Sequence, residues 1–110
     1  MTTIDEIEKE ILSGDLNNSP HRLAERKMEL GGMYSRLVDL RLEIEKQKPT
    51  VMNALIDKFG KVNVAESKYN QSLDGQKLME IEAKMRQIKS LKEGISSMLR
   101  VLDNEARNIM

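Results

Sequence analysis

The sequence predicts an all-α protein, an elongated antiparallel helical bundle or coiled-coil hairpin that begins with a short N-terminal helix. Two observations lead to this prediction. Apolar residues recur every seven positions through two long segments, and this spacing places them on one face of a helix. Aromatic residues make up only 3% of the 110 residues, whereas charged residues make up 33%. This composition is typical of surface-rich helices and not of β-sandwiches.

Residues 1–19 are predicted to form a short acidic helix, about residues 4–12, followed by a loop. Thr3 and Glu6 have the spacing of a capping box, in which each residue satisfies a backbone N–H of the other. Gly14 can end the helix because it adopts left-handed backbone angles without strain. The segment carries five acidic side chains and one lysine.

The second predicted helix covers about residues 20–48. Ser19 is a favourable N-cap and Pro20 suits the first helical position. We expect the helix to end before Pro49, because the residue preceding a proline is disfavoured in the α region. Together with the two helices that follow, it forms the predicted helical bundle of residues 20–110.

The Gly31-Gly32 pair lies in the middle of this helix, where each glycine costs about 1 kcal/mol relative to alanine. Two interpretations are open. The pair can break the helix into two arms, or it can let another backbone approach closely. The seven-residue phase does not change across the pair, which favours a continuous helix.

Two further helices are predicted at about residues 50–71 and 75–109. Ser72 or Asp74 can cap the last one. Its apolar stripe is broad, and a helix of this length needs its apolar face covered to be stable in water.

One row of apolar residues in each long helix forms the candidate core or oligomer seam. The same spacing serves an intramolecular bundle and an intermolecular coiled coil, so both remain open. Long rods bury little surface per residue, and we therefore expect a homo-oligomer. The seam residues are Leu23, Leu30, Leu37 and Ile44 in the second helix, and Ile81, Ile88, Ile95 and Leu102 in the last.

No group of residues has the pattern of a catalytic, cofactor-binding or metal site. The chain lacks cysteine, and its one histidine, His21, follows a helix start with no nucleophile placed beside it. Glu43 and Glu45 are two positions apart, so they do not share a helix face. A glycine-rich phosphate loop is absent from the sequence. We predict a protein that is not an enzyme and that has no cofactor.

Charge and hydropathy limit the expected partners and location. Lysine and arginine total 18, as do aspartate and glutamate, so a strongly cationic nucleic-acid coat is not expected. No segment approaches the roughly 18 apolar residues of a membrane span, and the acidic start differs from a secretory signal. We therefore expect a cytoplasmic protein that does not associate with membranes.

Five basic residues are candidate nucleic-acid contacts, since they can line one stripe for a phosphate backbone. The alternative is an ordinary charged helix exterior. Stacking on bases has little support, because the only aromatic residues are Tyr34, Phe59 and Tyr69. The candidate contacts are Lys58, Lys61, Lys68, Arg86 and Lys89.

The C-terminal half resembles small coiled-coil proteins of unassigned function from bacteriophage and prophage early regions. The resemblance rests on the stretch 61–69, on Leu73-Asp74-Gly75-Gln76, and on the heptads that end at 104–108. It implies a phage-borne accessory or inhibitor protein in the host cytoplasm. It carries no catalytic residue over to this chain.

Three functions follow from these patterns. The first is a non-enzymatic helical protein–protein interaction module, in its sharper form a phage-encoded adapter or inhibitor of a host factor. The second is an accessory nucleic-acid-binding protein that uses a basic helix face and whose affinity falls steeply with salt. The third is a helical chaperone with a client-binding groove, which would expose apolar surface when free.

Overall fold

Four helices make up most of the chain between residues 2 and 109, the part that the structure, a computed structural model, describes. No strand lies among these residues, and the predicted all-α helical bundle is confirmed. Met1 and Met110, which end the predicted segments 1–19 and 20–110, lie outside the described residues. The helices are α1 (Ile4–Ser13), α2 (Pro20–Phe59), α3 (Val62–Gln71) and α4 (Leu73–Ile109).

Both ends of α1 confirm the sequence prediction. The Glu6 N–H donates to Thr3 Oγ1 at 3.2 Å, and the Thr3 N–H donates to Glu6 Oε2 at 3.4 Å. Gly14 follows the helix with φ +81°, and its N–H donates to the Ile11 carbonyl at 3.2 Å. These local hydrogen bonds satisfy backbone groups that a short helix leaves unpaired at its ends.

Helix α2 begins at Pro20, as predicted, and continues through both glycines. The continuous interpretation of the Gly31-Gly32 pair is therefore confirmed. Close approach of another backbone is not the reason for the pair. A Cβ on Gly31 would meet only Lys92 Nζ, at 3.8 Å, and a Cβ on Gly32 would meet nothing within 4 Å.

The predicted end of the second helix at residue 48 is wrong, because α2 continues through Pro49 to Phe59. Pro49 lacks an N–H, so the carbonyl of Glu45 loses its helical donor. Both residues are exposed, and water can replace the missing bond. The apolar row also continues beyond the proline at the half-buried Val51.

The predicted third helix, 50–71, is also wrong, because α2 extends into its range. Residues 50–59 belong to α2, and only residues 62–71 form α3. The division lies at Gly60, which has φ +75°. Its N–H donates to the Ile56 carbonyl at 2.6 Å, as at the end of a helix.

Helix α4 begins two residues before its predicted start, and Ser72 caps it. Ser72 Oγ accepts the Gly75 N–H at 3.2 Å and donates to the Tyr69 carbonyl. This turn brings the backbones of α3 and α4 so close that Gly75 is buried. A Cβ there would overlap the Tyr69 carbonyl oxygen and lie 2.7 Å from Asn70 Cα. Only glycine fits this crossing.

The chain divides into two compact units, which cut across the predicted segments 1–19 and 20–110. Unit 1 takes Met1–Tyr34 with Arg86–Met110, and unit 2 takes Ser35–Met85. Helices α2 and α4 therefore contribute to both units, whereas α1 lies in unit 1 and α3 in unit 2.

Unit 1 has a core to which α1, the following turn, α2 and α4 all contribute. Residues 17–18 share a groove with α4 residues 97–105, whereas Gly31 lies beside Lys92. Within this unit α2 and α4 therefore run antiparallel. The completely buried side chains are Ile7, Leu16, Leu23, Leu30, Ile88 and Ile95.

Unit 2 has a smaller core, centred on Tyr69 and Ala65 of α3 with Ile81 and Met85 of α4. The Tyr69 hydroxyl is buried and has no hydrogen-bond partner among the described residues. Burial raises the pKa of Tyr69, and the charges of Asp74 and Glu45 raise it further.

Gly75→Ala should lower the free energy of unfolding by about 3 kcal/mol, because the added methyl group meets backbone and not a movable side chain. Gly94→Ala is the matched control in the same helix. Its Cβ would point into open space, so the helix propensity of alanine should raise that free energy by about 1 kcal/mol. Urea unfolding followed by circular dichroism measures both changes. Equal effects of the two substitutions would contradict the close crossing of α3 and α4.

Tyr69→Phe should leave stability at neutral pH unchanged or increased, because it removes a buried hydroxyl that has no partner. The raised pKa of Tyr69 in the folded state means that folding favours its protonated phenol. In the wild type, the stability that this preference contributes is fully present below the ordinary tyrosine pKa of 10.0 and is lost as the pH rises through the raised pKa of the folded state. The wild-type chain should therefore lose stability more steeply than the variant between neutral and strongly alkaline pH. Tyr34→Phe serves as the control, and parallel curves for wild type and Tyr69→Phe would count against a buried phenol.

Candidate functional site

A basic groove lies between α2 and α4 in unit 1 and has a volume of about 480 Å³. It is the strongest candidate site in the part of the chain that the structure describes, because it collects several polar side chains from two helices. We call it the basic groove. Its lining residues are Lys27 and Tyr34 from α2, and Lys89, Lys92, Glu93, Ser96, Ser97 and Arg100 from α4.

Helical periodicity explains how these residues come together. Lys27 and Tyr34 are seven positions apart, and Lys89, Lys92, Ser96 and Arg100 follow one another at intervals of three or four. Residues at these intervals share one helix face. The two faces line the groove from its α2 side and its α4 side.

The groove carries four cationic side chains and one carboxylate, that of Glu93. Within residues 2–109, none of the four cations lies within 4.0 Å of a carboxylate oxygen. Lys27 and Lys92 are half-buried, so part of their hydration is already lost. Uncompensated cations in a concave surface attract anions more strongly than the same charges on a convex one.

Gly31 lies on α2 beside Lys92 of this groove. It lies four positions after Lys27 and three before Tyr34, so it shares their helix face. A Cβ at this position would lie 3.8 Å from Lys92 Nζ. A methyl group would fit there in ordinary van der Waals contact, whereas a longer side chain would take the space next to the ammonium group of Lys92.

Three hydroxyl groups complete the lining, those of Tyr34, Ser96 and Ser97. Each can donate a hydrogen bond to an anionic oxygen. The groove therefore has the chemistry to bind carboxylate or phosphate groups by charge and to orient them by hydrogen bonds.

Arg26, also on α2 in unit 1, is a contrasting case because its charge is fully engaged. Its Nε donates to Glu10 Oε2 at 2.8 Å and its Nη2 donates to Glu10 Oε1 at 3.0 Å. Its Nη1 donates to both carboxylate oxygens of Glu29 and to Thr2 Oγ1. The hydrogen bond to Glu10 is the main cause that raises the pKa of Arg26 above its ordinary value, and burial opposes it. This network attaches α1 to α2.

The predicted nucleic-acid contacts fall into two sets. Arg86 and Lys89 belong to unit 1, and only Lys89 lines the basic groove. Lys58, Lys61 and Lys68 are exposed in unit 2, near the end of α2 and in α3. There, Lys58 Nζ and Lys68 Nζ lie 5.4 Å and 5.5 Å from the centroid of the Phe59 ring.

The predicted seam residues also differ in their surroundings. Leu23, Leu30, Ile88 and Ile95 are completely buried in unit 1, where Leu102 is only half-buried. In unit 2, Ile81 is buried, whereas Leu37 and Ile44 are half-buried.

Across the described residues 2–109, no group of three or more histidine, aspartate or glutamate side chains has the arrangement of a metal site. His21 is exposed. In the same residues, no helix combines the length and the apolar character needed to cross a membrane.

Sequence reasoning did not single out Lys27, Tyr34, Lys92 and Arg100 as one site. A signal was present in the spacing of Lys27, Gly31 and Tyr34, which places a glycine between two polar residues on one helix face. Comparison with protein families, curated proteins and solved structures finds no match to this chain.

Arg26→Ala should lower the free energy of unfolding by about 2 kcal/mol, since two partly buried carboxylates lose the cation that donates hydrogen bonds to them. Arg22→Ala is the control. Arg22 meets the same Glu10, but at 3.9 Å and with a side chain that is 47% exposed, so its removal should cost less than about 1 kcal/mol. Urea unfolding gives the energies, and amide hydrogen exchange in residues 4–13 shows whether α1 is released. Unchanged exchange in Arg26→Ala would argue against a role of Arg26 in holding α1.

Proposed function

We propose that this chain is a non-enzymatic helical interaction module that binds an acidic segment of a partner protein in the basic groove. The observation that carries the proposal is the convergence of four cations, none of them in an ion pair among the described residues, on one groove. Uncompensated cations that line one concave surface give it a positive potential, which attracts an anionic partner.

An acidic protein segment suits the groove better than a nucleic acid does. The groove cations are confined to one concave site, while the whole chain has no net charge. Nucleic-acid affinity usually draws on many phosphate contacts along an extended basic surface. Glu93 would also repel a continuous phosphate backbone, whereas a peptide can place a neutral or basic residue beside it.

The resemblance to phage coiled-coil proteins supports a sharper form of this proposal. In that form the chain acts as an adapter or inhibitor that occupies an acidic surface of a host factor. Neither form requires chemistry on the bound partner.

Nucleic-acid binding is the second candidate function, and one observation in unit 2 favours it. Lys58 Nζ and Lys68 Nζ both lie close to the ring of Phe59, which is 38% exposed. An exposed aromatic ring with cations nearby can stack on a base while the ammonium groups contact phosphates. The residues of this candidate are separate from those of the basic groove.

Fluorescence anisotropy with labelled oligoglutamate as the probe tests the groove. Binding should weaken as salt is added, and the double variant Lys92→Glu with Arg100→Glu should weaken it at least about tenfold, equal to 1.4 kcal/mol. Gly31→Leu should weaken binding similarly, because the new side chain takes the space beside Lys92. Gly32→Leu is the matched control with the same gain in helix propensity, and it should bind as the wild type does.

Two results would overturn the proposal. The first is binding of oligoglutamate that neither the double variant nor Gly31→Leu reduces. The second is the absence of oligoglutamate binding together with binding of a labelled single-stranded oligonucleotide that Lys58→Glu and Lys68→Glu abolish. The latter result would establish the second candidate in its place.

A further inference from the structure

The four cations of the basic groove are spaced along its length and are not gathered at one point. On α4, Lys92 follows Lys89 by three residues, and Arg100 follows Lys92 by eight. With the rise of an α-helix, Lys92 and Arg100 lie about 4.5 and 16.5 Å beyond Lys89 along the helix axis. The α4 cations alone therefore leave an interval of two turns between Lys92 and Arg100.

Lys27 of α2 lies within this interval. Gly31 is beside Lys92, since a Cβ on Gly31 would be 3.8 Å from Lys92 Nζ. Lys27 precedes Gly31 by one helical turn, and α2 and α4 run antiparallel in this unit. Lys27 is therefore level with Ser96, one turn beyond Lys92 in the direction of Arg100, and it lines the same groove. Together the two helices present about one cation for each turn of α4 over three turns.

This spacing is the spacing of a helix, because two helices supply it. Residues i, i+3, i+7 and i+11 of a helix share one face and lie about 4.5, 6 and 6 Å apart along its axis. These are the axial intervals between the four cations of the groove. An extended segment turns a side chain to the same face only at every second residue, about 6.6 Å apart. After three such intervals it would be out of register with the cations by about 3 Å.

The burial of the cations follows their order along the groove. The two inner cations, Lys27 and Lys92, are half-buried, whereas the two outer ones, Lys89 and Arg100, are exposed. Charge pairs at partly buried positions are screened less by water and salt than pairs at exposed positions. The central carboxylates of a bound segment would therefore gain most from the groove.

We propose that the acidic segment bound in the basic groove is a helix that carries one stripe of carboxylates at intervals of three or four residues and lies along α2 and α4. Charge complementarity over three turns carries this inference, since each carboxylate of such a stripe reaches one cation. The inference rests on the proposed function, because it specifies the conformation and the charge pattern of the same ligand.

Fluorescence anisotropy with two labelled alanine-based peptides of identical composition tests the inference on the full chain. Both peptides carry four glutamates, which lie at i, i+3, i+7 and i+11 in the striped peptide and on all sides of the helix in the scattered peptide. Circular dichroism checks that their helicity is equal. The striped peptide should bind at least about tenfold more tightly, because all its carboxylates reach cations at the same time.

Charge reversal at Lys27 checks the alignment of the two helices. Lys27→Glu should weaken binding of the striped peptide at least about tenfold, because it interrupts the series of cations at a half-buried inner position. Lys9→Glu is the matched control. It changes the net charge by the same amount at an exposed residue of α1 that does not line the groove, and it should bind the peptide as the wild type does.

The possible failures are distinguishable. Equal affinities for the striped and the scattered peptide, in a chain that binds oligoglutamate, would overturn this inference and leave the proposed function in place. A loss of striped-peptide binding that is as large in Lys9→Glu as in Lys27→Glu would overturn it as well. If neither peptide binds and oligoglutamate does not bind either, the proposed function fails together with this inference.

Discussion

A helix with an apolar row along one face is stable in water only if other residues cover that row, and this requirement governs both units. In unit 1 the cover for Leu23, Leu30, Ile88 and Ile95 includes two residues outside the long helices, Ile7 of α1 and Leu16 of the turn. The Arg26 network holds α1 in that position. The N-terminal segment is therefore part of the core and not an appendage. The basic groove depends on the same packing, since it exists only where α2 and α4 are held side by side.

Local features of the fold could be predicted from the sequence because their causes are local. The capping box of Thr3 and Glu6, the left-handed Gly14 and the start at Pro20 each depend on residues within one helical turn. The end of α2 could not be predicted in the same way. Whether Pro49 ends a helix depends on whether its freed carbonyl reaches water, and that is a matter of tertiary exposure. Leu16 was missed for a similar reason, because a turn has no periodicity that marks a buried residue.

The candidate site was only partly accessible to sequence reasoning. Helical spacing identifies which basic residues share a face of one helix, and Lys89 was singled out in this way. It does not give the register between two helices, which brings Lys27 opposite the α4 cations. It also cannot assign residues to compact units, so the predicted stripe combined Lys58, Lys61 and Lys68 of unit 2 with Arg86 and Lys89 of unit 1.

The sequence also does not show which glycine is required by close packing. Gly31 and Gly75 both lie within predicted helical segments, but only Gly75 lies where a side chain would collide with backbone.

Ser97 lines both the basic groove and the groove that residues 17–18 form with α4. One small side chain thus forms part of the wall of two cavities. A larger side chain at this position would narrow both cavities at once, so position 97 is a place where the shapes of the two grooves cannot vary independently.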